Sequence, residues 1–368
     1  MSEQALGFDI PINPYGCSPK AVEAMVALAR SREYRFYGDE TGASLREQLA
    51  AHFQLSPENF IVYNGSSEAL VWLFAAHLLF QQNPPCRSRL ILAWPSFDLY
   101  AEVGRRFGAE VIEIPLSPHH FSLDLDRVIE LGRRQKGTVV VLTNPNNPTG
   151  NLLLDAQTLT YVLEQLPDCV VVVDEAYADY AGITFAPWVR ERPNLVVVRT
   201  FSKAYGLAGL RIGYLALHTT KTQILSQFRI PWSADSMSLV AAQAALEDQG
   251  YLQRVVARIR ADCADLQSAV RILPHFHVYP SLTNFFLVRM SGIDPRHLQT
   301  HLTTHGIRVF RRSDMPQYIR LSSLTQEANR HLLDVLNLFS KAQEQRPNTL
   351  EESQGPAHAH PLLLPGRS

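Results

Sequence analysis

Six short runs of aliphatic, mostly β-branched residues punctuate this chain, and helical patterns fill the gaps between them. The runs lie at 60–63, 90–93, 111–114, 139–142, 170–173 and 195–198, with helical candidates at 68–80, 99–107 and 158–165. Most of the runs are continuous rather than alternating, and the extreme case is four consecutive valines, Val170 to Val173. A strand apolar on both faces must be covered on both faces, which is the situation of a parallel sheet between helix layers. Strand and helix in alternation therefore predict an α/β domain with a mostly parallel sheet. Beyond Gln243 the pattern changes to one long charged helix, then strands at 284–288 and 318–321 around a helix near 297–305. That part reads as a smaller α+β domain, joined by the N-terminal segment around Asn13 and Pro14.

The expected division is an arm at 1–34 belonging to the small domain, a large domain at 35–255, the rest of the small domain at 256–344, and a disordered tail at 345–368. The tail carries Pro347, Pro356, Pro361 and Pro365 without apolar periodicity. The chain holds 34 basic and 35 acidic side chains, so no charge excess points to nucleic acid or an anionic membrane. Cys17, Cys86, Cys169 and Cys263 form no CxxC pair and fit free thiols in a reducing compartment. With no signal-like apolar segment and no span long enough for a bilayer, a cytoplasmic protein is expected.

In an open α/β sheet, ligands gather beyond the carboxyl ends of the strands. Here each such end carries something chemically specific. After 60–63 comes Asn64-Gly65-Ser66-Ser67-Glu68, a glycine turn into a helix whose first amides suit an anion or an ordinary N-cap. After 90–93 comes Trp94-Pro95-Ser96-Phe97, bringing aromatic rings to the rim. The run 139–142 leads into Thr143-Asn144-Pro145-Asn146-Asn147-Pro148-Thr149-Gly150, too dense in turn formers for a plain turn. Asp174 follows four valines, where a carboxylate needs a donor or a cation. Lys203 stands just past 195–198, between Thr200, Ser202 and Arg211, with Gly206, Gly209 and Gly213 allowing close backbone approach. A desolvated lysine becomes a nucleophile able to form a Schiff base. A planar, cationic, phosphorylated aldehyde would use all five strand ends, and pyridoxal 5′-phosphate is such a molecule.

Three motifs then carry a resemblance. The segments NPNNPTG at 144–150, DEAY at 174–177 and SKAYGLAGLRIGY at 202–214 occur in that order on successive strand ends. Over Asp9 to Leu338 the chain resembles fold-type I, pyridoxal-phosphate-dependent aminotransferases of class I and II, most closely the histidinol-phosphate aminotransferase and threonine-phosphate decarboxylase group. The resemblance implies a seven-stranded, mostly parallel sheet in the large domain. It casts Lys203 as the Schiff-base lysine, Asp174 as the partner of the pyridine nitrogen, and Tyr177 and Asn147 as donors to the ring's phenolic oxygen. Phe97 would stack on the ring. Ser66, Ser67, Thr200, Ser202 and Arg211 would hold the phosphate, with Tyr37 reaching that of the neighbouring subunit in a homodimer. Arg320, with Asn13 and Phe310 beside it, would bind substrate and take its carboxylate.

The activity so implied is transfer of an amino group between an amino acid or related amine and a 2-oxo acid by a ping-pong mechanism. A decarboxylase of a phosphorylated amino acid and a histidinol-phosphate aminotransferase remain as alternatives. Phosphate-handling relatives carry an arginine after the Gly-Ile-x-Val strand, and Phe310 stands in its place here. That departure argues for an ordinary, apolar amino acid, and leaves open whether Arg311 or Arg312 replaces the lost arginine. Gly38 likewise stands where a proline follows the tyrosine in relatives. His301 and His305 share a helix face, but no third ligand completes a metal site, so no metal is expected.

Overall fold

The computed structural model describes residues 5–79 and 87–344, so Phe80, Cys86 and the tail expected from 345 lie outside the described residues. In chain order the strands are β1 (Leu6–Phe8), β2 (Phe60–Tyr63), β3 (Arg89–Trp94), β4 (Glu110–Pro115), β5 (Val139–Thr143) and β6 (Val170–Asp174). They continue with β7 (Leu195–Thr200), β8 (Gly213–Leu217), β9 (Phe276–Val278), β10 (Phe285–Met290), β11 (Ile307–Val309) and β12 (Tyr318–Ser322).

Seven strands form the central sheet in the order β2-β8-β7-β6-β5-β3-β4. Neighbours pair in parallel except β8, which runs against both β7 and β2. Every residue of β5, β6 and β7 is buried, as unbroken valine runs require. The sheet divides two apolar cores, one including Val140, Val171 and Val197 and the other Val139, Val172 and Val196. The six apolar runs all became strands. β8 was not visible in the pattern, because it enters the sheet from the lysine loop with only a three-residue 3-10 turn, Ala208–Leu210, before it.

A third core gathers on the remaining sheets. β1 lies parallel to β11, and β9, β10 and β12 form an antiparallel trio against helices Gln249–Arg271 and Gln326–Glu344. The single long helix expected from Gln243 is two helices, Ser236–Glu247 and Gln249–Arg271. Asp248 divides them: its carboxylate accepts the amide of Tyr251 as an N-cap and the hydroxyl of Ser18. The helix expected at 68–80 is an α-helix, Gly65–Phe74, that widens into a π-helical turn over Ala75–Leu79.

A buried ion cluster sits behind the strand ends. Arg199 on β7 donates to the Glu175 carboxylate at 2.8 Å and also pairs with Asp179. Glu175 further accepts the hydroxyl of Thr184 and the amide of Phe185, both at 2.5 Å. Together the two acids keep Arg199 firmly charged despite full burial.

Candidate active site

Where the strands end, a cavity of about 330 Å³ opens between the central sheet and residues 9–11, Phe310, Arg312 and Arg320. Ser66, Ser67, Phe97, Asn147, Asp174, Tyr177, Thr200, Ser202, Lys203, Arg211, Phe310 and Arg320 all line it. Residues from β2 to β12 thus converge as the strand-end reasoning required. Tyr37 and Asn13 are the exceptions.

Lys203 Nζ donates to the carbonyl of Pro11 at 3.1 Å and lies 5.3 Å from the centroid of the Tyr177 ring. A neutral carbonyl leaves the amine's charge uncompensated at short range. Asp174 is 3% exposed. Its Oδ2 accepts the hydroxyl of Tyr100 at 2.7 Å, and its Oδ1 accepts the amide of Ala176 at 2.9 Å. Burial raises the Asp174 carboxyl above its usual range, against the pull of those donors and of Lys203. A cation placed against it would remove that penalty.

The anion seat is built from backbone. Helix Gly65–Phe74 begins with Ser66 and Ser67 at the cavity, so its first amides face an incoming anion. Gly65 has φ +82°, and a Cβ there would stand 2.7 Å from Arg211 Nη2. Only glycine lets the guanidinium pack so closely on the helix start. Arg211 also donates to Ser202 Oγ at 3.4 Å and the Ala208 carbonyl at 3.1 Å, while Ser202 N donates to Thr200 Oγ1 at 3.1 Å. The glycines after Lys203 answer a different need from ligand approach. A Cβ on Gly213 would meet the Ser66 amide at 2.5 Å, and one on Gly206 the Gly16 carbonyl at 2.6 Å; Gly209 has open space around it.

The asparagine-rich loop is bolted from inside. Asn144 Oδ1 accepts the amides of Leu153 and Leu154, and Asn146 Nδ2 donates to the Pro95 carbonyl at 2.9 Å. Asn147 alone turns its amide to the cavity, where Oδ1 accepts Arg320 Nη1 at 2.6 Å. Arg320 is 5% exposed. Its Nη2 donates to the Asp9 carbonyl at 2.5 Å, and its Nε has no partner. The Phe310 ring lies 4.2 Å from the guanidinium carbon. Burial pulls the pKa of this arginine below its ordinary value, the mark of a cation whose hydrogen-bond partners are neutral.

The arginines after Phe310 part company. Arg311 turns away to Gln299 Oε1 at 3.0 Å, whereas Arg312 lines the cavity. Arg312 is already engaged: Asp314 takes Nε and Nη2 at 2.9 and 2.8 Å, Asp98 takes Nη2 at 2.6 Å, and the Ser96 carbonyl takes Nη1 at 2.6 Å. Asn13 spends its amide on the carbonyls of Gly16 and Ala204, at 2.9 and 2.8 Å, so it braces the lysine loop rather than facing the cavity. Tyr37 is 85% exposed and packs against Trp232, with ring centroids 4.9 Å apart. His301 and His305 face each other at 4.5 Å, and among the described residues no group of three metal-ligating side chains exists.

Sequence reasoning missed the strap 9–12, whose carbonyls at Asp9, Pro11 and Ile12 engage Arg320, Lys203 and Asn284. No side-chain signal marks a backbone contact. It also missed Tyr100 and Thr143, which line the cavity below Asp174. Tyr100 had a readable signal, since it lies three residues after Phe97 at a helix start.

These residues fit pyridoxal 5′-phosphate on structural grounds: a glycine-gated helix start backed by Arg211, a buried carboxylate with no cation hydrogen-bonded to it, and an amine whose one hydrogen bond is to a carbonyl. The comparisons agree. Residues 3–336 match the family model of aminotransferase class I and II. A histidinol-phosphate aminotransferase of Roseiflexus castenholzii is 36% identical over 341 residues, covering 91% of this chain and 89% of that one. Among solved structures, the histidinol-phosphate aminotransferase of Sinorhizobium meliloti in complex with pyridoxal-5′-phosphate superimposes with a TM-score of 0.83 at 24% identity, covering 93% of this chain and 92% of that one. The L-threonine-O-3-phosphate decarboxylase of Porphyromonas gingivalis gives 0.78 at 24% identity, covering 91% and 99%. By a match that spans most of its length, this chain belongs to the aminotransferase class I and II family and is a pyridoxal-phosphate-dependent aminotransferase.

Proposed function

We propose that this aminotransferase exchanges an amino group between an amino acid and a 2-oxo acid, with the substrate carboxylate held by Arg320. The observation that carries the reading is the state of Arg320: buried at the cavity wall, touching only neutral acceptors, with Nε unpartnered. A carboxylate is the ligand whose two oxygens match that fork and supply the missing charge.

Pyridoxal phosphate, when bound, supplies an electron sink that acidifies the Cα–H bond of the amine attached to it. The protein's residues do the rest. The Ser66 and Ser67 amides, Thr200, Ser202 and Arg211 would grip the phosphate. Asp174 would hold a proton at the ring nitrogen, with Phe97 on the ring face. Tyr177 and the free amide hydrogens of Asn147 would meet the phenolic oxygen. Lys203 Nζ, once displaced from the ring aldehyde, would take the Cα proton of the donor and later return one.

A second reading keeps the fold and changes the donor to histidinol phosphate. The curated relative's name supports it, as does Arg312 at the cavity, a second cation within reach of a distal phosphate. Against it, Arg312 already serves two carboxylates. Loading the enzyme and adding candidate donors one at a time, while following loss of its visible absorbance, separates the readings. Conversion by common amino acids supports the first, conversion by histidinol phosphate alone the second. Release of carbon dioxide without need of a 2-oxo acid would overturn both in favour of a decarboxylase.

The assignment extends to assembly and place. Exposed Tyr37, on a surface with Phe36 and Trp232, would complete the phosphate seat of a second copy, making the enzyme a homodimer. Among the described residues no helix is long and apolar enough to cross a membrane. Balanced charge and free Cys17, Cys169 and Cys263 support a cytoplasmic enzyme. The large domain would span 35–255, with the arm 1–34 and residues 256–344 forming the small one.

A further inference from the structure

Tyr100 touches both groups that would hold the cofactor ring. Its hydroxyl donates to Asp174 Oδ2 at 2.7 Å, and its ring and that of Phe97 stand at 88° with centroids 5.6 Å apart. It is itself buried, with 1% exposure. We propose that Tyr100 is a positioning residue that keeps Asp174 a carboxylate and Phe97 at its working angle, so that one side chain sets both the electrostatic and the stacking hold on the ring. The inference rests on the pyridoxal phosphate assignment above and adds a residue to it.

A carboxylate at full burial is costly unless donors satisfy it, and unaided it takes up a proton. A protonated Asp174 would present a neutral oxygen to the ring nitrogen and lose its grip on a pyridinium. Register places Thr143 on β5 beside Asp174 on β6. Thr143 Oγ1 donates to the Tyr100 hydroxyl at 3.2 Å, which leaves the phenolic hydrogen for Asp174. Burial raises the Tyr100 phenol well above its usual range, which favours the protonated, hydrogen-donating form. The amide of Ala176 covers the other oxygen. The two donors thus favour the ionised form of Asp174 against its burial, and the carboxylate still offers lone pairs to a ring N–H.

Phe97 presents the complementary problem. It lines the cavity 40% exposed, and an aromatic side chain with so much freedom stacks poorly. The T-shaped contact with Tyr100 is a geometry that aromatic pairs prefer. Because Tyr100 is on helix Leu99–Arg106 and Asp174 on β6, the contact also ties the stacking ring to the central sheet.

The test uses the full-length protein freed of cofactor, with pyridoxal phosphate binding followed by quenching of tryptophan fluorescence. Tyr100→Phe removes the hydroxyl and keeps the edge; it should weaken binding about tenfold. In an Asp174→Asn background the same change should do nothing further, since the carboxylate it serves is gone. Tyr100→Leu should cost more than Tyr100→Phe, through lost support of Phe97. A purely structural tyrosine would instead weaken binding equally in both backgrounds. Should Tyr100→Phe fail to fold, Thr143→Val carries the test, with a smaller weakening that also vanishes with Asp174→Asn. Unchanged affinity in Tyr100→Phe, or additive losses, overturns the inference alone. Failure of the unmodified protein to bind pyridoxal phosphate overturns the cofactor assignment itself.

Discussion

Arg320 and Phe310 are joined twice: the Arg320 amide donates to the Phe310 carbonyl at 2.9 Å, and the Phe310 ring lies 4.2 Å from the guanidinium carbon. The backbone bridge places the ring over the cation, and the ring shields one face of it from water. Cation–π contact of this kind is worth roughly 0.5–2 kcal/mol. Phe310→Ala should therefore raise KM for carboxylate substrates roughly threefold to tenfold, with kcat little changed. Steady-state kinetics with a saturating partner substrate check this.

Arg320→Lys keeps the charge and loses the fork. Removing a charge-assisted hydrogen bond costs ~1.5–3 kcal/mol, so kcat/KM should fall roughly tenfold to a hundredfold. Cofactor affinity, measured by fluorescence, should stay the same. A parallel loss of cofactor would show that Arg320 serves the ring through Asn147 instead.

Asp174 makes stability depend on pH in a defined direction. Its folded-state carboxyl is raised above the usual 3.8 by burial. The folded protein therefore binds the proton more tightly than the unfolded one. That contribution is complete below about pH 4 and is lost as pH rises through the folded value. Asp174→Asn removes the penalty, so the cofactor-free variant should melt higher than the parent, by a margin that widens as pH rises above about 4. Melting curves across that range decide it, and the same variant should lose nearly all activity.

Gly65→Ala tests the phosphate seat. The new Cβ would meet Arg211 Nη2 at 2.7 Å on a backbone with φ +82°. Left-handed strain costs about 1–2 kcal/mol, and Arg211 must also move. Affinity for pyridoxal phosphate should drop toward that for pyridoxal, and the ratio of the two dissociation constants reads the effect directly.

Breaking the cluster behind the strands should cost more. Arg199→Met leaves Glu175 buried with its charge uncompensated, and such changes cost roughly 3–5 kcal/mol. Denaturant unfolding should show that loss, while adding Glu175→Gln should recover part of it.

Tyr37 can be tested without structure. If it completes a partner's site, Tyr37→Ala and Lys203→Ala subunits, each inactive, should regain activity when refolded together, since one site in the hybrid is intact. Absence of complementation would place Tyr37 outside the chemistry.

The strands and most of the cavity were legible in the sequence because both rest on local properties. Val170–Asp174 reads as a buried strand ending in an acid from composition alone, and strand ends are where α/β sheets put their ligands. Lys203, Asp174 and the asparagine-rich loop were read that way, while the family resemblance supplied Asn147, Arg320 and Phe310. What the sequence left open was decided by contacts across long separations. Asn13 looked like a substrate ligand, yet its amide closes on Ala204, 191 residues away. Arg311 and Arg312 are equivalent as letters; only the fold sends one to Gln299 and the other to the cavity. The sequence by itself determined the sheet and the reacting groups, since burial and nucleophilicity belong to residue types in their local setting. Tertiary structure alone decided which partner each group meets: the Tyr100 donor for Asp174, the Pro11 carbonyl for Lys203, the Asp9 carbonyl and Asn147 Oδ1 for Arg320. Hydrogen bonds form between whatever the folded chain brings within about 3 Å, and sequence order carries no such distance.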